Sequence, residues 1–553
     1  MNNFFHRDVL INSLSYFTSI GLFFIENSHR HTHSVDTPLL PTFRRLSSHL
    51  FDLHSRLFQK FALSFLKLGS PCIPGDSPVK MPSNRCAHLM STKKRDERID
   101  TMIAFLKSAV QAQKEKPVQQ EQAPGNAIVS MTAKLLELWS VPQSSITEMR
   151  LLLTLGADPA PLFKDNIGEK ILADRIDNGS VCEECATKFK EFLEFSGTIF
   201  EEMFERTPIQ INKSKKVDGV MALCLDGGGM RGLVSVVCLL YASRRLLGDE
   251  SLPNLFDWFI GTSTGSMLAL SMVNKKSISD CFFQYWDMKA QIFLRGSTMK
   301  RLFSDQVSVQ TKNIDKVLEE CFPTQTLQAC PTRITVPALD ISTAPARLHV
   351  FRNYSFTKQF GVCLNEEQDV LFREAARASS AAPTYFEPFE YGNKVLVDGS
   401  FVANYPLNVL FKEYDSFSKH QNPIHLAGVL SIGTGEPSLA QRKYKSGKSI
   451  KSRARNMGQL STLILEQVVG QDLTAVEMAQ DRCHAHNIPF NRLSPKGISV
   501  RIDQIDDAKL MDMIWTTLMY LTENVHEIDQ LGEMLYKLKS DPTERKRRSN
   551  TVL

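Results

Sequence analysis

A serine flanked by glycines, Ser263, has the surroundings of a nucleophile. It stands in a G-x-S-x-G pattern between Gly261 and Gly265, with a short apolar run before the pattern and a longer one after it. This order predicts a buried strand that turns sharply into a buried helix, where the glycines prevent backbone collisions and the serine is held in a strained conformation. A chance match of five residues is the alternative, and the strand and helix signals on either side argue against it. The pattern therefore predicts covalent chemistry at Ser263.

A nucleophilic serine also needs a base and hydrogen-bond donors for the oxyanion that it generates. Asp398 follows the short strand expected at 394–397 and precedes Gly399, so it is well placed to be the base. The run from Gly227 to Gly229 follows another predicted strand and precedes a helix expected over 233–247. Backbone amides at such a helix start are unpaired and suit a developing negative charge.

The three motifs, in this order, resemble the patatin-like phospholipase family over about residues 218–436. The motifs are DGGGMRG at 226–232, GTSTG at 261–265 and DG at 398–399. Within the family, the chain is most similar to the calcium-independent phospholipase A2, group VI branch. That similarity rests on FDW at 256–258, LHVFRNY at 348–354 and AARASSAAPTYF at 375–386.

The resemblance implies an acyl hydrolase with a Ser/Asp dyad, in which Ser263 is the nucleophile and Asp398 the base. The oxyanion region that it implies consists of the amides of Gly227, Gly228 and Gly229 together with Arg231. Four further glycines support the motifs: Gly232, Gly261, Gly265 and Gly399. The implied reaction releases fatty acid from glycerophospholipids through an acyl-enzyme intermediate, without calcium, another metal or a cofactor. The sequence has neither a calcium-loop pattern nor an H-E-x-x-H motif.

Three residues near the motifs depart from the usual family pattern. Ser266 stands where a second glycine often follows the serine turn, Ser400 replaces the second glycine of D-G-G, and Tyr405 interrupts an N-N-P segment. None of these changes removes a reacting group. We therefore expect them to alter substrate preference and rate more than activity itself.

A Ser/Asp/His triad would require a histidine after Asp398. The histidines in that part of the chain have no recognisable loop signature, and we interpret them as ordinary surface or packing residues: His420, His425, His484 and His486. In a dyad without histidine, the carboxylate must contact the serine directly. Partial burial should then raise the pKa of the carboxyl while leaving it ionised at neutral pH.

Apolar strands that alternate with helical runs predict an α/β fold with a mainly parallel sheet flanked by helices. The strands are expected at 220–225, 257–260, 333–339, 394–397 and 427–432. In such sheets the chemistry gathers at the carboxyl ends of the strands. Asp226, Ser263 and Asp398 each follow the end of a predicted strand, so we expect them to meet at one edge.

Composition limits the partners and the setting of the protein. The net charge of +5 is modest for 553 residues, and no block resembles a nucleic-acid surface, so we expect weak attraction to anionic membrane and no nucleic acid. Eleven scattered cysteines indicate reduced thiols in the cytosol. Cys182 and Cys185 have metal-like spacing, but without a second pair nearby surface thiols are favoured over zinc.

The length predicts two to four domains. Residues 1–125 are expected to be a poorly structured or membrane-associating region with a linker, and 126–212 a helical segment that contains a degenerate ankyrin-like motif at 149–159. Residues 213–440 form the predicted catalytic domain. Residues 441–553 are expected to be a helical extension with a basic tail.

Two segments of the first region have patterns typical of membrane contact. Val9–Ile25 is apolar after His6 and Arg7 and reads as a signal anchor or membrane-dipping segment, although it is short for a span. Leu46–Leu68 fits a helix on a bilayer and equally a packed or disordered helix. We expect a cytoplasmic protein that associates peripherally with membrane, with an N-terminal anchor left open.

Basic residues between Lys443 and Arg455 precede an apolar-periodic run at Leu460–Val468. This order favours a solvated loop before a core helix, and the alternative is a segment that binds anionic lipid or calmodulin. Calmodulin binding is implied by the resemblance to the group VI branch. Formation of a homo-oligomer is left open.

Two other functions are kept as alternatives. The glycines at 227–232 also fit a dinucleotide-binding fingerprint, with Asp249 or Glu250 about twenty residues further on. That acidic pair follows a predicted helix instead of a second strand, which disfavours a nucleotide-dependent oxidoreductase. The other alternative is a catalytically weak lipid-binding or scaffold protein of the same fold.

Overall fold

The computed structural model describes eight stretches of the chain: residues 92–114, 126–141, 146–204, 206–293, 305–356, 369–419, 423–436 and 473–539. The predictions for Val9–Ile25, Leu46–Leu68, the basic segment before Leu460 and the C-terminal basic tail lie outside these residues. Within the described stretches, every helix is too short or too polar to cross a bilayer.

The described part of residues 92–204 is helical. Its helices are α1 (Thr92–Lys114), α2 (Asn126–Ser140), α3 (Ile146–Thr154), α4 (Ala160–Phe163), α5 (Ile167–Asp177) and α6 (Glu183–Met203). The fully buried ring of Trp139 in α2 packs against Phe189 and Phe192 of α6. Phe192 in turn stacks on Trp515 from the C-terminal part of the chain, with ring centroids 5.8 Å apart. These contacts join the helical segment to the rest of the core.

Helix α1 differs from the expectation for residues 1–125. Met102 and Leu106 lie one helical turn apart on it and are both buried. Lys107 on the same helix donates to Asp287 at 2.6 Å. Residues 92–114 therefore belong to the packed structure, because their apolar face has a core to cover.

In the described part of the chain, eight strands form one mixed sheet with the order β5-β6-β3-β2-β1-β7-β8, and β4 pairs with β3 outside this path. The strands are β1 (Val220–Leu225), β2 (Trp258–Gly261), β3 (Arg333–Asp340), β4 (Arg347–Arg352), β5 (Phe389–Tyr391), β6 (Lys394–Asp398), β7 (Leu426–Ile432) and β8 (Phe490–Leu493). Five neighbouring strands, from β3 through β2, β1 and β7 to β8, run parallel. The predicted mainly parallel α/β sheet is confirmed.

Helices cover both faces of the sheet. They are α7 (Gly232–Leu247), α8 (Thr264–Val273), α9 (Ile278–Ile292), α10 (Gln306–Cys321), α11 (Phe372–Ser379), α12 (Ser400–Ala403), α13 (Leu407–Lys419), α14 (Leu473–Ala485), α15 (Asp507–Glu523) and α16 (Val525–Lys539). Alternate residues of β1 face opposite layers, so Leu223 joins the larger core and Ala222 joins the core beneath α13 and α14. A strand buried on both faces explains the continuous apolar run in the sequence.

Strand β6 does not follow the parallel pattern that places chemistry at one edge. It runs antiparallel to β3. Of that strand it pairs with the later residues, Ala338–Asp340, whereas β2 pairs with the earlier ones, Arg333–Thr335. β3 therefore extends past the end of β2, and β6 returns along this overhang until Asp398 lies opposite Ala338. The offset brings the end of an antiparallel strand to the same edge as the end of β2.

Candidate active site

The turn that presents Ser263 joins β2 directly to α8. Ser263 has φ 52° and ψ −121°, a strained conformation for a residue with a side chain. A Cβ on Gly261 would lie 2.2 Å from the carbonyl oxygen of Gly265, and a Cβ on Gly265 would lie 2.2 Å from that of Leu225. The two glycines of the pattern are thus required by close backbone approach, as the sequence predicts.

The structure brings Ser263 and Asp398 into direct contact. Ser263 Oγ donates to Asp398 Oδ2 at 2.8 Å, and both residues are buried. The other carboxylate oxygen, Oδ1, accepts from the backbone amide of Ser400 at 2.8 Å. Burial raises the pKa of Asp398 to about 6, and hydrogen bonds from Ser400 and Ser263 oppose this effect. The carboxyl group is therefore ionised at neutral pH and more basic than an exposed aspartate.

A second serine, Ser379, holds Ser263 and Gly399, the residue after the base, and no sequence motif marks it. Its hydroxyl accepts from the Ser263 amide at 2.9 Å and donates to the carbonyl of Pro337 at 2.6 Å. Its own carbonyl accepts from the Gly399 amide at 3.1 Å. The end of α11 thus connects the serine turn to the residue after the base. The only signal for Ser379 was its place inside the AARASSAAPTYF segment.

The glycine run is only partly available as an oxyanion site. The Gly227 amide donates to the carbonyl of Asn404 at 3.1 Å, so the expectation of three free amides needs correction. Gly228 and Gly229 line the cavity in front of Ser263, and no carbonyl within the described part of the chain accepts from their amides. Gly229 has φ +58°, which favours glycine at this position.

Arg231 is buried, and its part in the oxyanion region stays a prediction. Its side chain is 6% exposed and is not among the cavity-lining residues, and its charge acts to lower the pKa of Asp226. Asp226 itself is buried behind the glycine run and accepts from Arg492 Nη2 at 2.7 Å. Burial raises the pKa of Asp226, and the Arg492 charge opposes the shift. Arg231 and Arg492 thus both act to lower the pKa of the carboxyl group behind the turn.

An apolar cavity opens in front of the serine. It is narrow, with a cavity volume of about 70 Å³. Apart from the glycines and the reacting pair, its walls are mainly apolar and aromatic: Met230, Met267, Tyr285, Met288, Ile292, Phe293, Ile314, Ala382, Tyr385, Phe386, Phe401 and Ile502. A narrow slot of this kind suits a thin hydrocarbon chain, and methionine side chains adapt readily to its shape.

Among the cavity-lining residues that the structure describes, Asp398 is the one carboxylate. Among the described residues, no histidine lines the cavity, and no group of three His, Cys, Asp or Glu side chains has the geometry to hold a metal.

Two of the residues that depart from the usual family pattern have structural roles near the site. The Ser266 hydroxyl donates to the Ser263 carbonyl at 2.6 Å, and Tyr405 packs beneath the Arg492 guanidinium.

Asp249 and Glu250, the acidic residues that a dinucleotide-binding site would use, form hydrogen bonds with other protein groups. Glu250 accepts from the Ser279 amide and from Arg244, and Asp249 accepts from Lys213 at 2.5 Å. Both carboxylates follow α7 in a loop, as the sequence suggests. The geometry of this loop gives no support to a ribose site.

Comparison with known proteins agrees with the geometry. Residues 223–411 match the family model of patatin-like phospholipases. The chain is 29% identical over 343 residues to the 85/88 kDa calcium-independent phospholipase A2 of Rattus norvegicus, covering 57% of this chain and 40% of that protein. It is 26% identical over 374 residues to patatin-like protein 1 of Arabidopsis thaliana, covering 60% of this chain and 85% of that protein.

A third relative is the intracellular phospholipase A2 of Caenorhabditis elegans, 25% identical over 380 residues that cover 64% of this chain and 34% of the relative. The chain thus spans about two fifths of the length of the rat relative and about a third of the Caenorhabditis elegans one. Among solved structures, human GIVD cytosolic phospholipase A2 overlaps 57% of this chain and 61% of that chain at 9% identity and a TM-score of 0.32, too low to support an argument. Residues 223–411 are thus the part of the chain that is similar to the patatin-like phospholipase family.

Proposed function

We propose that this protein is a calcium-independent lipid acyl hydrolase that releases fatty acid from glycerophospholipids, in the manner of a phospholipase A2. The observation that carries the proposal is the 2.8 Å hydrogen bond between Ser263 and Asp398 in the wall of an apolar cavity. The names of the relatives, which include calcium-independent phospholipases A2, support the substrate class.

In the first step, Asp398 accepts the hydroxyl proton of Ser263 while Oγ attacks the ester carbonyl. The carbonyl oxygen becomes negatively charged, and the amides of Gly228 and Gly229 are placed to donate to it. The bond to the alcohol then breaks, and the leaving lysophospholipid takes the proton from Asp398. The product of this step is an acyl-enzyme on Ser263.

In the second step, a water molecule attacks the acyl-enzyme and gives its proton to Asp398. The tetrahedral species collapses, Ser263 regains its proton from the carboxyl group, and the fatty acid leaves. A pKa of about 6 supports both roles of Asp398, because the group is ionised before each attack and acidic enough to return the proton. Neither step needs a metal ion.

The cavity supports a long apolar acyl group more than a polar substrate. Its described walls contribute thioether, aliphatic and aromatic groups, and burial of each methylene contributes about 0.8 kcal/mol to binding. We propose that the protein takes its substrate at a membrane surface as a peripheral protein. Binding of calmodulin and formation of a homo-oligomer stay predictions.

Release of fatty acid from phospholipid vesicles in excess EGTA tests this function. We expect hydrolysis by the wild-type protein and loss of at least about 1,000-fold in Ser263→Ala, because the nucleophile is absent. Ser271→Ala is the matched control: this buried serine lies on the same helix, α8, and bonds to Gln284 away from the cavity.

The same assay separates the enzyme from a lipid-binding or scaffold protein of this fold. A wild-type protein that binds vesicles but releases no fatty acid would support the scaffold. Equal activity in the wild type and Ser263→Ala would show that the hydrolysis comes from another site or another protein.

A further inference from the structure

A buried hydroxyl with no partner lies beside the reacting pair. Ser380 is 4% exposed, lines the cavity, and its Oγ has no hydrogen-bond partner among the described residues. Both backbone groups of Ser380 are hydrogen-bonded: its amide donates to the Ala376 carbonyl, and its carbonyl accepts from the Ala382 amide. Burial of an unpaired hydroxyl costs free energy, so a site that keeps one suggests a ligand atom that completes the bond.

Ser380 differs in this respect from the other hydroxyl groups of the cavity. Each of those has a partner within the protein: Ser263 and Ser400 bond to Asp398, Thr264 and Tyr285 bond to each other, and Tyr385 bonds to Arg501. Among the described cavity residues, Ser380 is thus the hydroxyl that is left for the substrate.

The position of Ser380 indicates which substrate atom it meets. The Ser379 carbonyl accepts from the Gly399 amide, and the Ala381 carbonyl accepts from the Asp398 amide. Ser380 lies between these two residues in the chain and therefore close to the base. The carbonyl oxygen of the ester is assigned to the glycine amides. The remaining polar atom at the reaction centre is the alkoxy oxygen of the leaving alcohol, which must receive its proton from Asp398.

We propose that Ser380 is a further catalytic residue, whose hydroxyl donates to the alkoxy oxygen of the scissile ester. This inference rests on the proposed function. As the C–O bond breaks, negative charge grows on the alkoxy oxygen and the bond from Ser380 Oγ strengthens. Asp398 then transfers its proton to that oxygen, and Ser380 keeps its own proton throughout.

The role of Ser380 can be tested with two butyrate esters that differ in their leaving group. Dibutyryl phosphatidylcholine has an alkyl leaving group that needs a donor, whereas p-nitrophenyl butyrate releases a stable phenolate that does not. We expect Ser380→Ala to lower kcat/KM about tenfold on the phospholipid and less than about twofold on the p-nitrophenyl ester. We also expect unfolding in urea at the same or a higher midpoint, because an unpaired buried hydroxyl is removed.

Thr384→Ala is the matched control. Thr384 Oγ1 is also buried without a partner in the described chain and lies in the same loop, but Thr384 does not line the cavity. We expect this variant to leave both esters unaffected. Ser380→Cys, which keeps the shape with a weaker donor, replaces the alanine variant if that variant does not fold.

A selective loss on the phospholipid supports the role of Ser380. An equal loss on both esters, or no loss on either, overturns it while wild-type hydrolysis still upholds the proposed function. A wild-type protein inactive on both esters contradicts the proposed function itself.

Discussion

Asp226 and Arg492 form a buried ion pair directly behind the glycine run, with Oδ2 and Nη2 2.7 Å apart. Arg492 also donates to the Ser431 hydroxyl at 2.6 Å. It lies on β8, beyond the residues 223–411 that match the family. The C-terminal edge of the sheet therefore helps to hold the turn whose amides face Ser263.

We expect Arg492→Gln to destabilise the fold by about 3 kcal/mol, because it leaves a buried carboxylate unpaired. Fatty-acid release should also fall, through kcat more than KM, since the glycine amides lose their support. The double variant Asp226→Asn, Arg492→Gln should recover most of the stability, since no buried charge is left. Urea unfolding and steady-state kinetics measure both effects. A single variant as stable as the wild type would show that the pair does not hold the turn.

The pH dependence of the reaction should follow Asp398. Burial raises the pKa of this carboxyl group to about 6, and only the ionised form can accept the proton of Ser263. Below about pH 6, kcat/KM should therefore fall about tenfold for each pH unit, and above it the rate should be constant. A rate of fatty-acid release that does not change across this range would mean that another group is the base.

The same shift of pKa predicts a cost in stability. The folded carboxyl group has a higher pKa than its ordinary value of 3.8, so the folded state binds more protons between the two values and loses stability as pH rises from 3.8 to about 6. Asp398→Asn carries no such charge. At about pH 8 we expect the free energy of unfolding of this variant to exceed that of the wild type by up to about 3 kcal/mol.

That difference should nearly disappear at about pH 3, where the wild-type carboxyl group is mostly protonated in both states. Urea unfolding of the two proteins at both pH values measures it. If Asp398→Asn is less stable than the wild type at the higher pH, the hydrogen bonds to the carboxylate outweigh its burial.

The conformation of the glycine turn should control activity. A Cβ on Gly229 would lie 2.4 Å from the carbonyl oxygen of Ile502, which also accepts from the Met230 amide at 2.8 Å. We expect Gly229→Ala to displace the turn and to reduce fatty-acid release about 100-fold, the effect typical of a lost oxyanion donor.

Gly392→Ala is the control for backbone strain alone. Gly392 has φ +59°, nearly the same as Gly229, but nothing lies within 4 Å of a Cβ built there. This variant should lose about 1 kcal/mol of stability and keep its activity. Equal activities in the two variants would mean that the turn is not part of the catalytic site.

Much of the sheet could be predicted from the sequence, because its central strands are buried on both faces and read as unbroken apolar runs. The observed bounds of β1 and β7, Val220–Leu225 and Leu426–Ile432, lie within one residue of the expected ones. The direction of β6 could not be predicted, since a run of three apolar residues after Lys394 has the same pattern in a parallel and an antiparallel pairing.

Some residues of the candidate site could also be predicted from the sequence, and others could not. Ser263 and its glycines were predictable because a sharp turn between a strand and a helix requires them locally. Ser379 and Arg492 were not, because their roles come from contacts across 116 and 266 positions of the chain. The hydrogen bond of the Gly227 amide was equally unpredictable, because its partner, the Asn404 carbonyl, is far away in sequence.

The central claim is that Asp398 is the base for Ser263. It is tested most directly by the rate of fatty-acid release by Asp398→Asn at about pH 8 in EGTA, with Asp340→Asn as a control at an exposed carboxylate on β3. The dyad predicts a loss of at least about 1,000-fold in Asp398→Asn and none in the control. An Asp398→Asn protein that is folded and keeps more than about a tenth of the wild-type rate would contradict the dyad.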